Sequence, residues 1–121
     1  MEQTLSVGLG ERSYPIHIGS GILTQLGEYL RGALRVKRYA IISDDRVAAL
    51  YGDKALNSLR DAALEAELFT FPAGEASKHL ATIEQLASNM AQKGFDRSHA
   101  IIALGGGVSG DMAGFLAAIY M

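Results

Sequence analysis

The stretch IIALGGGVSGD, residues 101–111, decides the fold. Apolar residues Ile101 to Leu104 run into Gly105, Gly106 and Gly107, and Val108, Ser109, Gly110 and Asp111 open a second apolar segment. A short apolar run closed by glycines reads as a buried strand, and the segment beyond it reads as a helix over 108–120. Strand, glycine turn and helix form the unit from which parallel sheets are wound, because parallel strands need a crossover and a helix supplies it.

The same alternation extends backwards from this unit. HAIIAL (99–104) is the predicted buried strand, and before it Leu80, Ile83, Leu86, Ala87 and Met90 form one apolar helix stripe that Gly94 ends as a C′ residue. AELFTFP (66–72) is a strand stopped by Pro72, a helical pattern covers about 46–63 with a break near Gly52, and RYAIIS (38–43) is a buried strand ending in Asp44 and Asp45. From residue 38 onward, strands and helices alternate. The pattern predicts an α/β fold: a Rossmann-like, doubly wound parallel sheet with helices on both faces. Residues 3–9 and 13–18 flank Gly10-Glu11-Arg12 and predict an N-terminal β-hairpin, in which Tyr14, Ile16 and Ile18 share one face and Pro15 and His17 the other. Pro15 places the second strand at a sheet edge. Ile22, Leu23, Leu26 and Leu30 then recur at helical spacing, with Ser20 in the position of a cap.

Composition narrows the function classes. The chain has 121 residues, 49% apolar and 20% charged, with a net charge of −2. That length supports one domain and one core. The balance gives no electrostatic case for a nucleic-acid partner. With no cysteine, disulfides, thiolate metal sites and a Cys nucleophile are excluded. The first residues lack the apolar core of a signal peptide, and no run approaches the roughly 18 apolar residues of a membrane span. The chain therefore reads as a cytoplasmic domain with no membrane partner. Its closing segment, GFLAAIYM, lacks a terminating Gly, a basic last turn or a polar tail, so the chain is expected to be part of a longer protein, with apolar surface left exposed on the last helix.

Three loops carry the candidate chemistry. Gly105 to Gly110 satisfy G-x-G-x-x-G between a strand and a helix, where glycines admit a close anion and free N–H groups favour phosphate; the alternative is a tight turn with close helix packing. The usual Rossmann fingerprint sits in the first βαβ unit, with a ribose-binding acid about 20 residues downstream. Here the loop comes last, so such an acid must lie upstream. Asp44, at the carboxyl end of a strand, is the candidate, against the alternative that it caps the next helix together with Asp45. PAGEASK (72–78) also joins a strand to a helix. Gly74 permits a turn and Ser77 is a potential cap, while Glu75 and Lys78 read either as a clamp on ribose hydroxyls and phosphate or as an exposed i,i+3 pair. Asp111 lies in the first turn of the last helix, where it favours the dipole but opposes phosphate; a functional Asp111 would face sugar, nicotinamide or substrate. His17, His79 and His99 have no ligand spacing and read as structural or solvated, so no metal ligand is assigned.

Together with YPIHIGSGIL, these loops resemble the 3-dehydroquinate synthases, of the sugar-phosphate cyclase family. The Y-x-I-x-I-G-x-G-x-L opening is matched by Tyr14, Ile16, Ile18, Gly19, Gly21 and Leu23, P-x-G-E-x-x-K by Pro72, Gly74, Glu75 and Lys78, and G-G-G-V-x-G-D by Gly105, Gly106, Gly107, Val108, Gly110 and Asp111. The resemblance implies that Asp44, Glu75 and Lys78 hold the adenosine and ribose of NAD, and that residues 106–111 cradle the pyrophosphate and the nicotinamide-side ribose. It implies conversion of 3-deoxy-D-arabino-heptulosonate 7-phosphate to 3-dehydroquinate and phosphate, in the shikimate pathway. In that reaction NAD transiently oxidises a substrate hydroxyl, phosphate leaves, the ketone is reduced back and the ring closes. It also implies a homodimeric parent whose C-terminal domain holds a divalent metal, zinc or cobalt, and the phosphorylated sugar-acid substrate. No complete catalytic site then lies within 1–121. The other readings are a metal-dependent alcohol or glycerol dehydrogenase, another cyclase such as an inosose synthase, and a non-catalytic nucleotide-binding module. The GDMAGF continuation and Asp111 favour the synthase over the first two.

Overall fold

The computed structural model describes residues 3–120, apart from the Arg12 side chain. Met1, Glu2 and Met121, and with Met121 the end of the expected apolar tail, lie outside the described residues.

The hairpin forms as predicted, with shorter strands. β1 (Gln3–Val7) and β2 (Tyr14–Ile18) pair antiparallel, with Leu5 opposite Ile16 and Val7 opposite Tyr14. A 3-10 turn at Gly10–Arg12 joins them. Leu9 and Ser13 are drawn into this turn: the Leu9 N–H donates to Ser13 Oγ at 2.9 Å, and that hydroxyl donates to the Gly10 carbonyl at 2.7 Å. The two-residue period turns Tyr14, Ile16 and Ile18 outward, half exposed, while His17 stacks on Tyr29 with ring centroids 3.9 Å apart. His17 is thus structural.

A 3-10 turn (Ile22–Gln25) leads into α1 (Leu26–Ala33). Ser20 does not cap it. Gly21, in the left-handed region at φ +69°, takes the N-cap place, and Thr24 Oγ1 donates to its carbonyl at 3.2 Å.

β3 (Arg38–Asp44), β4 (Glu65–Phe71) and β5 (Ala100–Leu104) form a parallel sheet in the order β4-β3-β5. β3 is central, and Tyr39 to Ser43 are completely buried. Alternation sends Ala40 and Ile42, with Phe69 and Phe71, toward α4 (Leu80–Gln92) and α5 (Gly107–Tyr120). Tyr39 and Ile41 go to the opposite face, against residues of α1 and of α3 (Asp53–Asp61). The sheet is doubly wound, as the alternation requires. Between β3 and α3 the chain passes through a short α2 (Asp45–Val47) and a π turn (Ala48–Gly52). The interruption expected near Gly52 is this π turn, and α3 begins directly after Gly52. Gly52 lets the π turn approach the sheet, since a Cβ there would lie 2.9 Å from Leu68 Cδ2.

Two further expectations are corrected. Leu80 is not part of the buried stripe: Ile83, Leu86 and Met90 are buried, but Leu80, on the first turn of α4, is 71% exposed. β5 is not a buried strand either, because it is the sheet's edge and its residues are half-buried or, at Ala103, exposed. Gly94 ends α4 as predicted, at φ +79°, with the Gly94 and Phe95 N–H groups donating to the carbonyls of Ala91 and Met90. On α5, Met112, Ala113 and Leu116 are buried while Phe115 and Ile119 remain about half exposed.

Candidate functional site

Sheet order places the three loops. The chain leaves β3 toward the α3 face and leaves β5 toward the α4–α5 face, so these neighbouring strands flank a topological switch point. Open α/β sheets bind ligands in the crevice outside the carboxyl ends of such strands, where the diverging connections leave room. Asp44 ends β3, Gly105 follows β5, and Ser43 pairs with Leu104 in register, so the predicted ribose acid and the glycine loop meet at one crevice.

The glycines in the loop have different reasons to be glycine. Gly105 has φ +137°, and a Cβ on it would come within 2.7 Å of Ser109 Oγ. It is a structural glycine that makes the turn into α5. Gly106, Gly107 and Gly110 are exposed, have ordinary φ values, and an added Cβ would meet no atom within 4 Å. Nothing in the chain itself requires a bare backbone at those three positions, so the loop presents an open face of main chain at the start of a 14-residue helix. Val108 is half-buried. Ser109 is 1% exposed, its hydroxyl has no hydrogen-bond partner, and it faces inward beneath Gly105.

Asp44 is a helix cap: its Oδ1 accepts from the Val47 N–H at 2.7 Å. Asp45 does not share that role. Its Oδ1 accepts from the Ala73 N–H at 3.0 Å, across to the loop after β4. In that loop Gly74 has φ +111°, a conformation reserved for glycine, and Glu75 is exposed on a 3-10 turn (Glu75–Ser77). Ser77 does not cap α4; it is buried and its hydroxyl donates back to the Pro72 carbonyl, closing the loop on itself.

Lys78 is paired differently from either sequence reading. Its Nζ lies 2.7 Å from Asp111 Oδ2, which joins the second loop to the third. The hydrogen bond to Asp111, that group's charge and the charge of Glu75 together raise the Lys78 pKa above its ordinary value. Both partners are substantially exposed, 45% and 61%, so the pair is available to solvent and ligand. A groove of about 410 Å³ between the start of α4 and α5 contains this pair, with Leu80, Ile83, Met112 and Phe115 among its lining. Asp45 and Val47 were missed as site residues. Val47 Cγ2 would lie 3.7 Å from a Cβ on Gly105, so it supports the glycine loop from below. The adjacent acids at a strand end were the only signal for Asp45.

His79 precedes α4, with Nε2 3.4 Å from Thr82 Oγ1, and His99 Nδ1 accepts from the Asp96 N–H. Among the described residues, no group of three or more His, Cys, Asp or Glu side chains could hold a metal ion. None of their helices is long and apolar enough to cross a membrane.

An open glycine loop and a strand-end carboxylate at the switch point of a doubly wound sheet define a Rossmann-like α/β domain. Its overall fold matches that of a crystal structure of 2-deoxy-scyllo-inosose synthase complexed with carbaglucose-6-phosphate, NAD+ and Co2+, at a TM-score of 0.84 and 26% identity over 98% of this chain and 32% of that one. Residues 68–121 match the family model for the 3-dehydroquinate synthase N-terminal region. The 3-dehydroquinate synthases of Pelotomaculum thermopropionicum and Lactococcus lactis are 46% and 43% identical to 98% and 97% of the chain, respectively. The chain belongs to the 3-dehydroquinate synthase family, and it spans about a third (32% and 33%) of the length of these relatives.

Proposed function

We propose that residues 1–121 are the NAD-binding N-terminal domain of a 3-dehydroquinate synthase, which converts 3-deoxy-D-arabino-heptulosonate 7-phosphate to 3-dehydroquinate and phosphate in the shikimate pathway. The observation that carries this reading is the open main-chain face of Gly106, Gly107 and Gly110 beside Asp44 at the switch point. A dinucleotide fits it chemically: N–H groups in the first turn of a helix suit a pyrophosphate, Gly110, whose own N–H is bonded to the Gly106 carbonyl, leaves it room, and the carboxylate suits ribose hydroxyls. Asp44 and Glu75 would accept from ribose hydroxyls, with Gly74 shaping the approach. Ser77 and Val108 would support the cradle by packing, as would Ser109 from beneath Gly105. Lys78 would meet a phosphate in competition with Asp111, freeing that carboxylate to face sugar, nicotinamide or substrate. Bound NAD supplies reversible hydride acceptance from a substrate hydroxyl.

The higher identity to 3-dehydroquinate synthases than to the inosose synthase supports this choice within the cyclases. The metal, zinc or cobalt, together with the phosphorylated sugar-acid substrate, would belong to a second domain outside this chain, in a cytoplasmic homodimeric protein. The described residues offer no cluster to hold that metal. The isolated chain would then turn over no substrate. Titrating NAD into the 121-residue chain and following backbone amide shifts tests the cofactor reading. Perturbations centred on 44, 74–78 and 105–111 are expected, and none at millimolar NAD would overturn it. Release of phosphate from the heptulosonate by the purified chain would overturn the division of labour.

A further inference from the structure

We infer that Asp45 is the positioning residue that holds the 72–78 loop against the carboxyl end of β3, and so sets where Glu75 stands relative to Asp44. This rests on the reading of those two acids as one cofactor site. The β3–β4 ladder ends at the Asp44–Phe71 pair, and the next residue, Pro72, has no N–H to extend it. Ala73 is therefore the first residue of the loop that can donate, and its N–H goes to Asp45 Oδ1 at 3.0 Å. Three further bonds are internal to the loop: Ser77 Oγ to the Pro72 carbonyl, the Ser77 N–H to the Gly74 carbonyl and the Lys78 N–H to the Glu75 carbonyl. They make residues 72–78 a compact unit without fixing its orientation on the domain. Among the described residues, two side-chain contacts tie it to other elements, Asp45 to Ala73 at its start and Lys78 to Asp111 at its end. Asp45 follows Asp44 directly, so a single strand end presents one acid to the crevice and spends the next on aiming the neighbouring loop. Preorganising a loop in its binding geometry raises affinity by removing the ordering cost.

The acceptor role separates from the charge. Asp45→Asn keeps a side-chain carbonyl oxygen for the Ala73 N–H, whereas Asp45→Ala removes it; both lose the negative charge that favours the start of α2. Amide hydrogen exchange and NAD titration are measured on the wild-type chain and both variants. In D45A, exchange at Ala73 should accelerate about threefold to tenfold, the range for losing one exposed hydrogen bond. NAD affinity should fall by a similar factor, while amides of β3 and of 105–111 keep their protection. D45N should stay within about twofold of wild type in both measurements, a tolerance below the smallest effect of losing the bond. Unchanged Ala73 exchange in D45A, equal damage in D45N, or loosening spread evenly over the sheet would each overturn the inference. No NAD response from the wild-type chain would overturn the cofactor reading instead, and exchange at Ala73 would still decide the tether.

Discussion

Gly110→Ala should stabilise the domain and impair the site, and the two effects have separate causes. Gly110 lies inside α5, with its N–H donating to the Gly106 carbonyl at 3.0 Å, and an added Cβ would touch nothing within 4 Å. Replacing a helical glycine by alanine removes backbone freedom from the unfolded chain, a gain of about 0.5–1 kcal/mol where no clash opposes it. For a domain of this size that is a rise in Tm of about 2–6 °C. The methyl group would project into the open face where a pyrophosphate is proposed to lie, and NAD binding should weaken at least tenfold, about 1.4 kcal/mol. Gly105→Ala is the control with the opposite stability effect. At φ +137°, with Ser109 Oγ 2.7 Å from the new Cβ, it should cost about 1–3 kcal/mol. Urea unfolding gives the stabilities, and isothermal titration with NAD gives the affinities. If G110A binds NAD as well as wild type, the open face is not the ligand face. If G105A is as stable as wild type, the backbone argument for that turn is wrong.

Gly27→Ala should be severely damaging, because its Cβ would lie 2.1 Å from the Ser58 carbonyl oxygen, a backbone atom that cannot step aside. A loss of about 3 kcal/mol or more, or failure to fold, is expected by denaturant titration. Ala63→Gly should stabilise: Ala63 sits at φ 62° beyond α3, and its N–H and that of Leu64 close the helix on Arg60 and Leu59 as a glycine normally would. Relief of the left-handed penalty, offset by glycine's entropy, gives about 0.5–1 kcal/mol in the same assay. The Ser98 hydroxyl and N–H hold the Asp96 carboxyl below its ordinary range. A lowered folded pKa contributes stability above the unfolded value, near 3.9, that is lost as pH falls through the folded one. Ser98→Ala should move the Asp96 titration upward, followed by side-chain carbon NMR, and no movement would refute the assignment.

Much of the architecture was written locally. The alternating strand and helix patterns from residue 38, Gly94 as the end of α4 and the hairpin around Gly10 all rest on neighbours within a few residues, where periodicity and φ preferences act. The glycine loop was equally legible, because strand, glycines and helix are contiguous. The failures share a cause in distance along the chain. Lys78 lies one turn from Glu75, which made that pair the natural reading, yet it meets Asp111 thirty-three residues away. Ser77 looked like a cap, but the turn at Gly74 aims its hydroxyl back at Pro72. Ala63 carries no glycine-like signal; the Ala63 and Leu64 N–H groups close its left-handed turn on the Arg60 and Leu59 carbonyls, with Leu64 buried in the core beside it.

By itself, the sequence determined the kind of fold, the family and the three loops, since each is a pattern of residues close together in the chain. Only the tertiary structure decided that β5 is an exposed edge, that Asp45 holds the second loop, and which loop glycines face open space. Strand order and the direction in which each connection leaves the sheet bring those partners together, and no local propensity encodes either.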